Sequence, residues 1–318
     1  MDTTRNDQRR LKLNEYIVYL GFLLIFVFFS ATLFNRGFLT GTNLLNITQQ
    51  TTMISVMAIG MTFVLSAGEI DLSIGSVVAL SAMITALLLR FTNIFVAVLG
   101  GMAVGALVGL INGIFVTRVR IPSFIVTLGM SAIASGFARL ITNLESVPVN
   151  NDAFNAIFGS GSLGPIPVLF LWTIGLAALG QTALRKTAFG RYALATGSNK
   201  VSAVFSGIST NRIKMAVLIL NGVLASLAGI LYTGRLHGAR YTLGDSDLLF
   251  VIAAVIIGGT SLFGGKGTVI GAIIGSLLMG MINNGLVLMG LNVSLQMIFR
   301  GVIIIASVSL SLREAKQG

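Results

Sequence analysis

The chain has 318 residues, 55% of them hydrophobic and 10% charged, and a net charge of +11. With a mean hydropathy of +0.93 this leaves no room for a soluble domain and marks a polytopic membrane protein. There is no cysteine, which excludes disulfides, thiol catalysis and thiolate metal sites. The basic groups are scattered over loop ends rather than gathered on one face, so nucleic acid is a poor partner.

A hydrocarbon core about 30 Å thick needs about 20 apolar residues per helix. Ten runs qualify, at 17–34, 47–67, 74–90, 94–117, 122–142, 165–184, 213–234, 247–264, 267–288 and 294–312. The third is the weakest, being short and following directly on two acids. The first is long and lacks a small-residue cleavage site, so it reads as a retained span rather than a signal peptide. From a cytosolic N-terminus, ten crossings put Arg5, Arg9, Arg10, Lys12, Arg118, Arg120, the six basic residues of loop 185–214, Lys266, Arg313 and Lys316 inside. Arg36, Arg90, Arg139, Arg235 and Arg240 fall outside, and Arg300 lies in the last span. Fifteen against five is a positive-inside bias. It predicts an all-α polytopic membrane protein of about ten transmembrane helices with both termini cytoplasmic. Residues 1–318 read as a single transmembrane domain.

Between the second and third runs stands Ala67-Gly-Glu69-Ile-Asp71-Leu-Ser73-Ile-Gly75-Ser. Acids in apolar sequence are costly unless partnered or hydrated. Two readings stay open. One is a cytosolic turn in which Asp71 or Ser73 caps the third helix. The other is a helix break at depth, freed by Gly68 and Gly75, with Asp71 bracing the break or lining a path. Further on, Gly101, Gly105, Gly109 and Gly113 recur every four residues, as do Gly267, Gly271 and Gly275, a close-packing pattern. A weak repeat is also visible. Leu107-Val-Gly-Leu-Ile-Asn112-Gly resembles Leu278-Met-Gly-Met-Ile-Asn283-Asn, and Ser123-Phe-Ile-Val follows the first at nearly the spacing at which Ser294-Leu-Gln-Met follows the second. The copies lie five spans apart, so they imply an inverted five-helix repeat with a pathway at its interface. Chance similarity between apolar helices is the alternative.

The main outer loop, 143–164, is rich in Asn, Ser, Gly and Pro, which favour turns. Glu145, Asp152, Asp245 and Asp247 all fall outside. They are either ordinary solvated acids or part of a docking face for an extracytoplasmic partner. His237, in a short outer loop without clustered carboxylates, reads as a structural or surface residue rather than a metal ligand. The cytosolic loop 185–214 carries Arg185, Lys186, Arg191, Lys200, Arg212 and Lys214 and no acid. Within it Gly197 is expected to end one element. Asn199 should cap a short helix running to about Ser206, which Gly207 closes. Val201, Val204 and Phe205 would share one side, facing lipid or a partner's groove. The helix is too short to anchor the chain to a membrane, which favours the partner.

Gly258-Gly-Thr260-Ser-Leu-Phe-Gly-Gly-Lys266-Gly267-Thr fails as a phosphate loop. Thr260 stands where a glycine is required, and Gly267 where Ser or Thr is. Any ATP is therefore hydrolysed by another polypeptide. Apart from Glu69 and Asp71 the runs contain almost no Asp, Glu or His, which counts against ion-coupled transport. Arg300, in the outer half of the last run, can snorkel outward. Uncharged polar residues are more plentiful, including Gln50 and Asn221. The candidate path residues for a weakly bound sugar are Asp71, Asn46, Gln49, Asn112, Phe124, Asn283, Asn284 and Gln296, although such side chains also serve as interhelical hydrogen bonds. No catalytic or metal-binding residue is nominated.

Three of these stretches carry a family resemblance: Glu69-Ile-Asp71-Leu-Ser-Ile-Gly75-Ser, Gly190-Arg-Tyr-Ala-Leu-Ala-Thr-Gly197-Ser-Asn199 with Ser206-Gly-Ile208, and Gly258-Gly-Thr-Ser-Leu-Phe-Gly-Gly-Lys-Gly267. Over about residues 40–310 the chain resembles the permease subunits of ribose-type ABC importers. Where Glu69 stands, that family often has glycine. The resemblance implies a bacterial inner-membrane importer of a monosaccharide working by alternating access, with a second permease copy in a homodimer. It implies a cytosolic ATP-binding subunit that uses ATP and magnesium and engages the coupling residues Gly197, Ser198, Asn199, Ala203, Phe205, Ser206 and Gly207. It also implies an extracytoplasmic sugar-binding protein. This chain itself would bind no cofactor. A permease for inositol, a signalling furanone or a branched-chain amino acid is the nearest alternative, and an ion-coupled secondary transporter a more distant one.

Overall fold

The computed structural model describes residues 19–299, 301–303 and 305. Both predicted cytoplasmic termini, with Arg5, Arg9, Arg10, Lys12, Arg313 and Lys316, and the in-span Arg300 lie outside the described residues. Each of the ten apolar runs corresponds to a helix. They are α1 (Tyr19–Thr32), α2 (Gly41–Ser66), α3 (Ile74–Phe91), α4 (Ile94–Val119), α5 (Ser123–Leu140), α7 (Val168–Lys186), α10 (Thr210–Leu236), α11 (Asp247–Ile257), α12 (Val269–Leu288) and α13 (Val293–Ile303). Between them lie α6 (Asp152–Asn155), α8 (Ala188–Ser198) and α9 (Lys200–Phe205). Six helices, α3, α4, α5, α7, α10 and α12, are long and apolar enough to cross a membrane.

Local chemistry sets the helix starts. Thr40, Asn93, Thr187, Asn199 and Thr268 each accept a first-turn backbone N–H of the helix that follows, and Asn292 does so for α13. The Thr40 cap explains why α2 begins six residues before its apolar run: its first turns are polar, and the cap rather than hydropathy starts it. The eighth run is corrected most. Its helix ends at Ile257, after 11 residues, because the glycine-rich segment that follows takes left-handed backbone at Gly259, Gly264 and Gly265.

Helix α10 is the hub, with α4, α2 and α3 packed on it, while α12 packs on α2 and α11. The glycine pattern of α4 provides the closest of these approaches. Gly105 faces the Gly222 carbonyl and Gly109 the Leu218 carbonyl, so a Cβ at either position would strike α10 backbone. In α12, Gly271 and Gly275 likewise face the Gly258 and Ala254 carbonyls. The pattern is that of the predicted repeat. Span four (α4) packs on spans three (α3) and seven (α10), and span nine (α12) on spans eight (α11) and two (α2).

On the outer side, β1 (Val147–Pro148) pairs with β4 (Gly238–Ala239), and β2 (Ser162–Leu163) forms a hairpin with β3 (Ile166–Pro167). His237 ends α10 in the left-handed region and meets the Ser160 hydroxyl at 3.0 Å, a structural role. The loop before α11 is re-entrant. Gly244 abuts Gly75 at the start of α3, where a Cβ on Gly75 would lie 2.5 Å from the Gly244 carbonyl oxygen. From Gly75 to Arg90, near the outer end, α3 rises about 22 Å.

Candidate functional site

Residues 67–73 form a break between two helices. Its backbone is held by α5, because Ile70 N–H donates to Ser123 Oγ (3.0 Å) and Leu72 N–H to Thr127 Oγ1 (2.9 Å). Asp71 is 2% exposed. Its Oδ1 accepts from Ser73 N–H (2.9 Å) and Ser73 Oγ–H (2.6 Å), and its Oδ2 accepts from Asn221 Nδ2 (2.9 Å). Asn112 Nδ2 donates to Ser73 Oγ (3.1 Å). Three residues from three stretches, Ser73, Asn112 and Asn221, thus close around one carboxylate, and the turn reading is corrected. Neither Asp71 nor Ser73 caps α3 by its side chain; Asp71 braces a buried break, as broken helices in a bilayer require. Gly68 supplies the left-handed residue, whereas Gly75 serves close approach. Glu69, also buried, forms an ion pair with Lys214 at the cytosolic end of α10. This uses one of the loop's six cations and gives the acid a partner.

Of the residues nominated for coupling, Gly197 and Ser198 lie at a junction of the three stretches. Gly197 does not end α8, which continues to Ser198. Instead its α-carbon presses on the Ser66 carbonyl, and a Cβ there would lie 2.8 Å from Gly265 N and 2.9 Å from Gly68 N. Gly265 N–H donates to the Ser66 carbonyl (3.0 Å), and Ser198 packs on Gly265. Asn199 Oδ1 caps α9 by accepting from Ser202 N–H (3.0 Å). At the other end Ser206 N–H donates to the Ser202 carbonyl (3.0 Å), and left-handed Gly207 donates to the Val204 carbonyl (2.9 Å). Ala203 is buried beneath α9, while Val201, Val204 and Phe205 face outward, Phe205 at 88% exposure.

The candidate path residues do not share one wall. Asp71 and Asn112 belong to the brace. Asn284 exchanges two amide hydrogen bonds with Asn43 (2.9 and 3.0 Å), and Gln296 donates to the Leu291 carbonyl (2.9 Å). Asn46 is exposed and Gln49 half-buried near the start of α2, and Phe124 is half-exposed on α5. Asn283 lines a cavity of about 230 Å3 between α2, α10, α11 and α12. Its other polar walls are Gln50, already noted among the uncharged polar residues of the spans, and Tyr232, Arg235, Ser246 and Asp247, which were not among the candidates. Arg235 and Asp247 had been assigned to the outer surface by loop counting, yet Asp247 is buried and accepts from the Tyr232 hydroxyl (2.7 Å). The signal was available: Asp247 is an acid at the head of an apolar run. Glu145, Asp152 and Asp245 are exposed as expected, and Arg139 stacks over the Tyr241 ring at 5.7 Å. Among the described residues no group of three His, Cys, Asp or Glu can hold a metal ion.

Comparison with known proteins matches this architecture to transport permeases. The family described as the permease component of the branched-chain amino acid transport system matches residues 43–308. The ribose import permease protein of Escherichia coli is 40% identical over 292 residues, 90% of each chain. That of Bacillus subtilis is 35% identical over 317 residues, 98% of each. The D-allose transport system permease protein of Escherichia coli is 38% identical over 291 residues, 91% of this chain and 89% of the relative. No solved structure matches. Six helices long and apolar enough to cross a membrane among the described residues, a braced helix break, a cytosolic loop carrying an exposed apolar helix, and these relatives lead to one conclusion: the chain belongs to this permease-component family and is a multi-pass inner-membrane transport subunit, not an enzyme.

Proposed function

We propose that this permease moves a monosaccharide across the inner membrane by alternating access, powered by ATP hydrolysed on a separate cytosolic subunit. ATP and magnesium belong to that subunit. Ribose, allose and arabinose, the sugars in the names of the relatives, define the solute class. An extracytoplasmic binding protein delivers the sugar, and two copies of this chain form the gate, each acting as one domain over 1–318. The observation that carries the reading is the junction at Gly197. There the exposed face of α9 is tied through α8 to the end of α2 and to the turn that leads into α12, so a push on Phe205 is transmitted to both. The pairing of copies is supported by Asn46, an exposed amide on the outer half of α2 that acyl chains would solvate poorly.

Truncating Phe205 to Ala tests the drive. An exposed aromatic anchor contributes about 2 kcal/mol to docking, roughly thirtyfold in affinity. Sugar uptake and transport-coupled ATPase activity of the reconstituted transporter should fall together, with the chain still folded and inserted. Wild-type uptake in this variant rules out the assigned coupling role.

A further inference from the structure

We propose that the cytosolic end of α4 is a binding site for the phosphate headgroup of an anionic phospholipid, held by Arg118 and Arg120. Arg120 has left-handed backbone, with φ 66° and ψ 31°. At nine described positions of positive φ the chain uses glycine, which adopts it without strain. The turn does not need the arginine side chain. Its closing bonds run from the backbone N–H groups of Arg120 and Ile121 to the Phe115 carbonyl, and glycine would make both. Strain kept at a residue with a long side chain points to a use for that side chain. Arg118 and Arg120 are exposed, and neither bonds to a described residue. The nearby acid is already taken, because Glu69 pairs with Lys214, whose neighbour Met215 packs on Gly113 of α4. The remaining described acids are buried or lie on the outer side. Exposed Arg212, in the first turn of α10, adds a further cation at this end.

Helix α4 is 26 residues long, about 39 Å at 1.5 Å per residue, against a hydrocarbon core of about 30 Å. Its last turn therefore emerges at headgroup level. There it widens into a π-helix over Phe115–Val119, a form frequent at functional sites. Leu107, Ile111, Phe115 and Val119, spaced four apart and exposed, give acyl chains a continuous apolar strip that ends at the arginines. The guanidinium fork matches phosphate oxygens, and the cytoplasmic leaflet carries the anionic lipid. An acidic groove on a cytosolic protein would meet the arginines but leave the adjoining strip uncovered; a lipid covers both.

Native mass spectrometry of the purified full-length chain in detergent tests the site, with phosphatidylglycerol, phosphatidylethanolamine and soluble glycerol phosphate in parallel. Phosphatidylglycerol should bind most tightly. A basic residue at the membrane surface contributes about fivefold in affinity, so Arg120→Gly should weaken this binding about fivefold. Arg118→Gln combined with Arg120→Gly should weaken it about twenty-five-fold. Arg90→Gln, at the outer end of α3, removes the same charge elsewhere and should leave the affinity unchanged. An equal loss in Arg90→Gln, equal binding of phosphatidylethanolamine, or tightest binding of glycerol phosphate overturns the site. Arg120→Gly relieves the left-handed turn, so without lipid it should melt no lower than the wild type. A lower melting temperature would give the side chain a structural role and overturn the proposal. Phosphatidylglycerol should raise the melting temperature of the wild type more than that of this variant. If Arg120→Gly leaves lipid affinity unchanged and loosens only a copurified ATP-binding subunit, the arginines serve that partner and the lipid site falls.

Discussion

The two halves of the molecule use the same packing plan and end it differently. In the first, α4 lies on α3 and α10, and in the second, α12 lies on α11 and α2. The repeat places Asn112 opposite Asn283 and Gly109 opposite Gly280. In the first half Asn112 reaches Ser73, Asp71 takes three hydrogen bonds, and the space before α3 is closed. In the second, an acid again stands at the head of the helix and again meets an α10 side chain, Tyr232. There α11 is only 11 residues long and Asn283 faces an open cavity. One architecture thus yields a closed brace on one side and a cavity on the other. Buried polar groups stabilise when every donor finds an acceptor.

The contrast breaks most sharply at Asp71. Asp71→Ala strands the Ser73 N–H, Ser73 hydroxyl and Asn221 amide, and should cost about 3–5 kcal/mol. A thermal or denaturant titration of the detergent-solubilised protein reads it, and a change below about 1 kcal/mol would mean the brace is not structural. The paired glycines come next. Gly109→Ala drives a methyl to within 2.5 Å of the Leu218 carbonyl, against helix backbone, whereas Gly280→Ala meets only the Thr51 methyl, which can turn. The first should lose about 2–3 kcal/mol and the second about 1. Equal losses would show that the second half is as rigid as the first. Glu69→Gln sharpens the picture at the cytosolic end of the closed half. The pair with Lys214 is partly open to solvent, so the loss should be about 1 kcal/mol. Lys214→Met in the same background should add nothing further in a double-mutant cycle; a large additional loss would mean that Lys214 has another partner.

Much of the fold was legible because bilayer solvation acts residue by residue. Ten apolar runs, the fifteen-to-five charge bias and the Asn199 cap of α9 needed no neighbours to be read. The regular glycine spacing of α4 likewise announced a close helix contact, though not that α10 would make it. Less legible were the polar residues. Asn112, Asn284 and Gln296 satisfy other protein groups, while Asp247, read as an outer-loop acid, lines the cavity together with Gln50 and Tyr232. Local pattern cannot tell a hydrogen bond to a helix from one offered to a solute, since both need the same side chain.

The sequence by itself determined that the chain is an all-α polytopic membrane protein and where a short capped helix with an exposed apolar side stands on its basic loop. These follow from transfer free energy and capping, which are properties of single segments. Tertiary structure alone decided that Asp71 is a brace, that three distant motifs meet at Gly197, and that α11 stops short beside a cavity. Each depends on which backbone approaches which, and in a bilayer that choice is made by packing and hydrogen bonds between helices far apart in the chain.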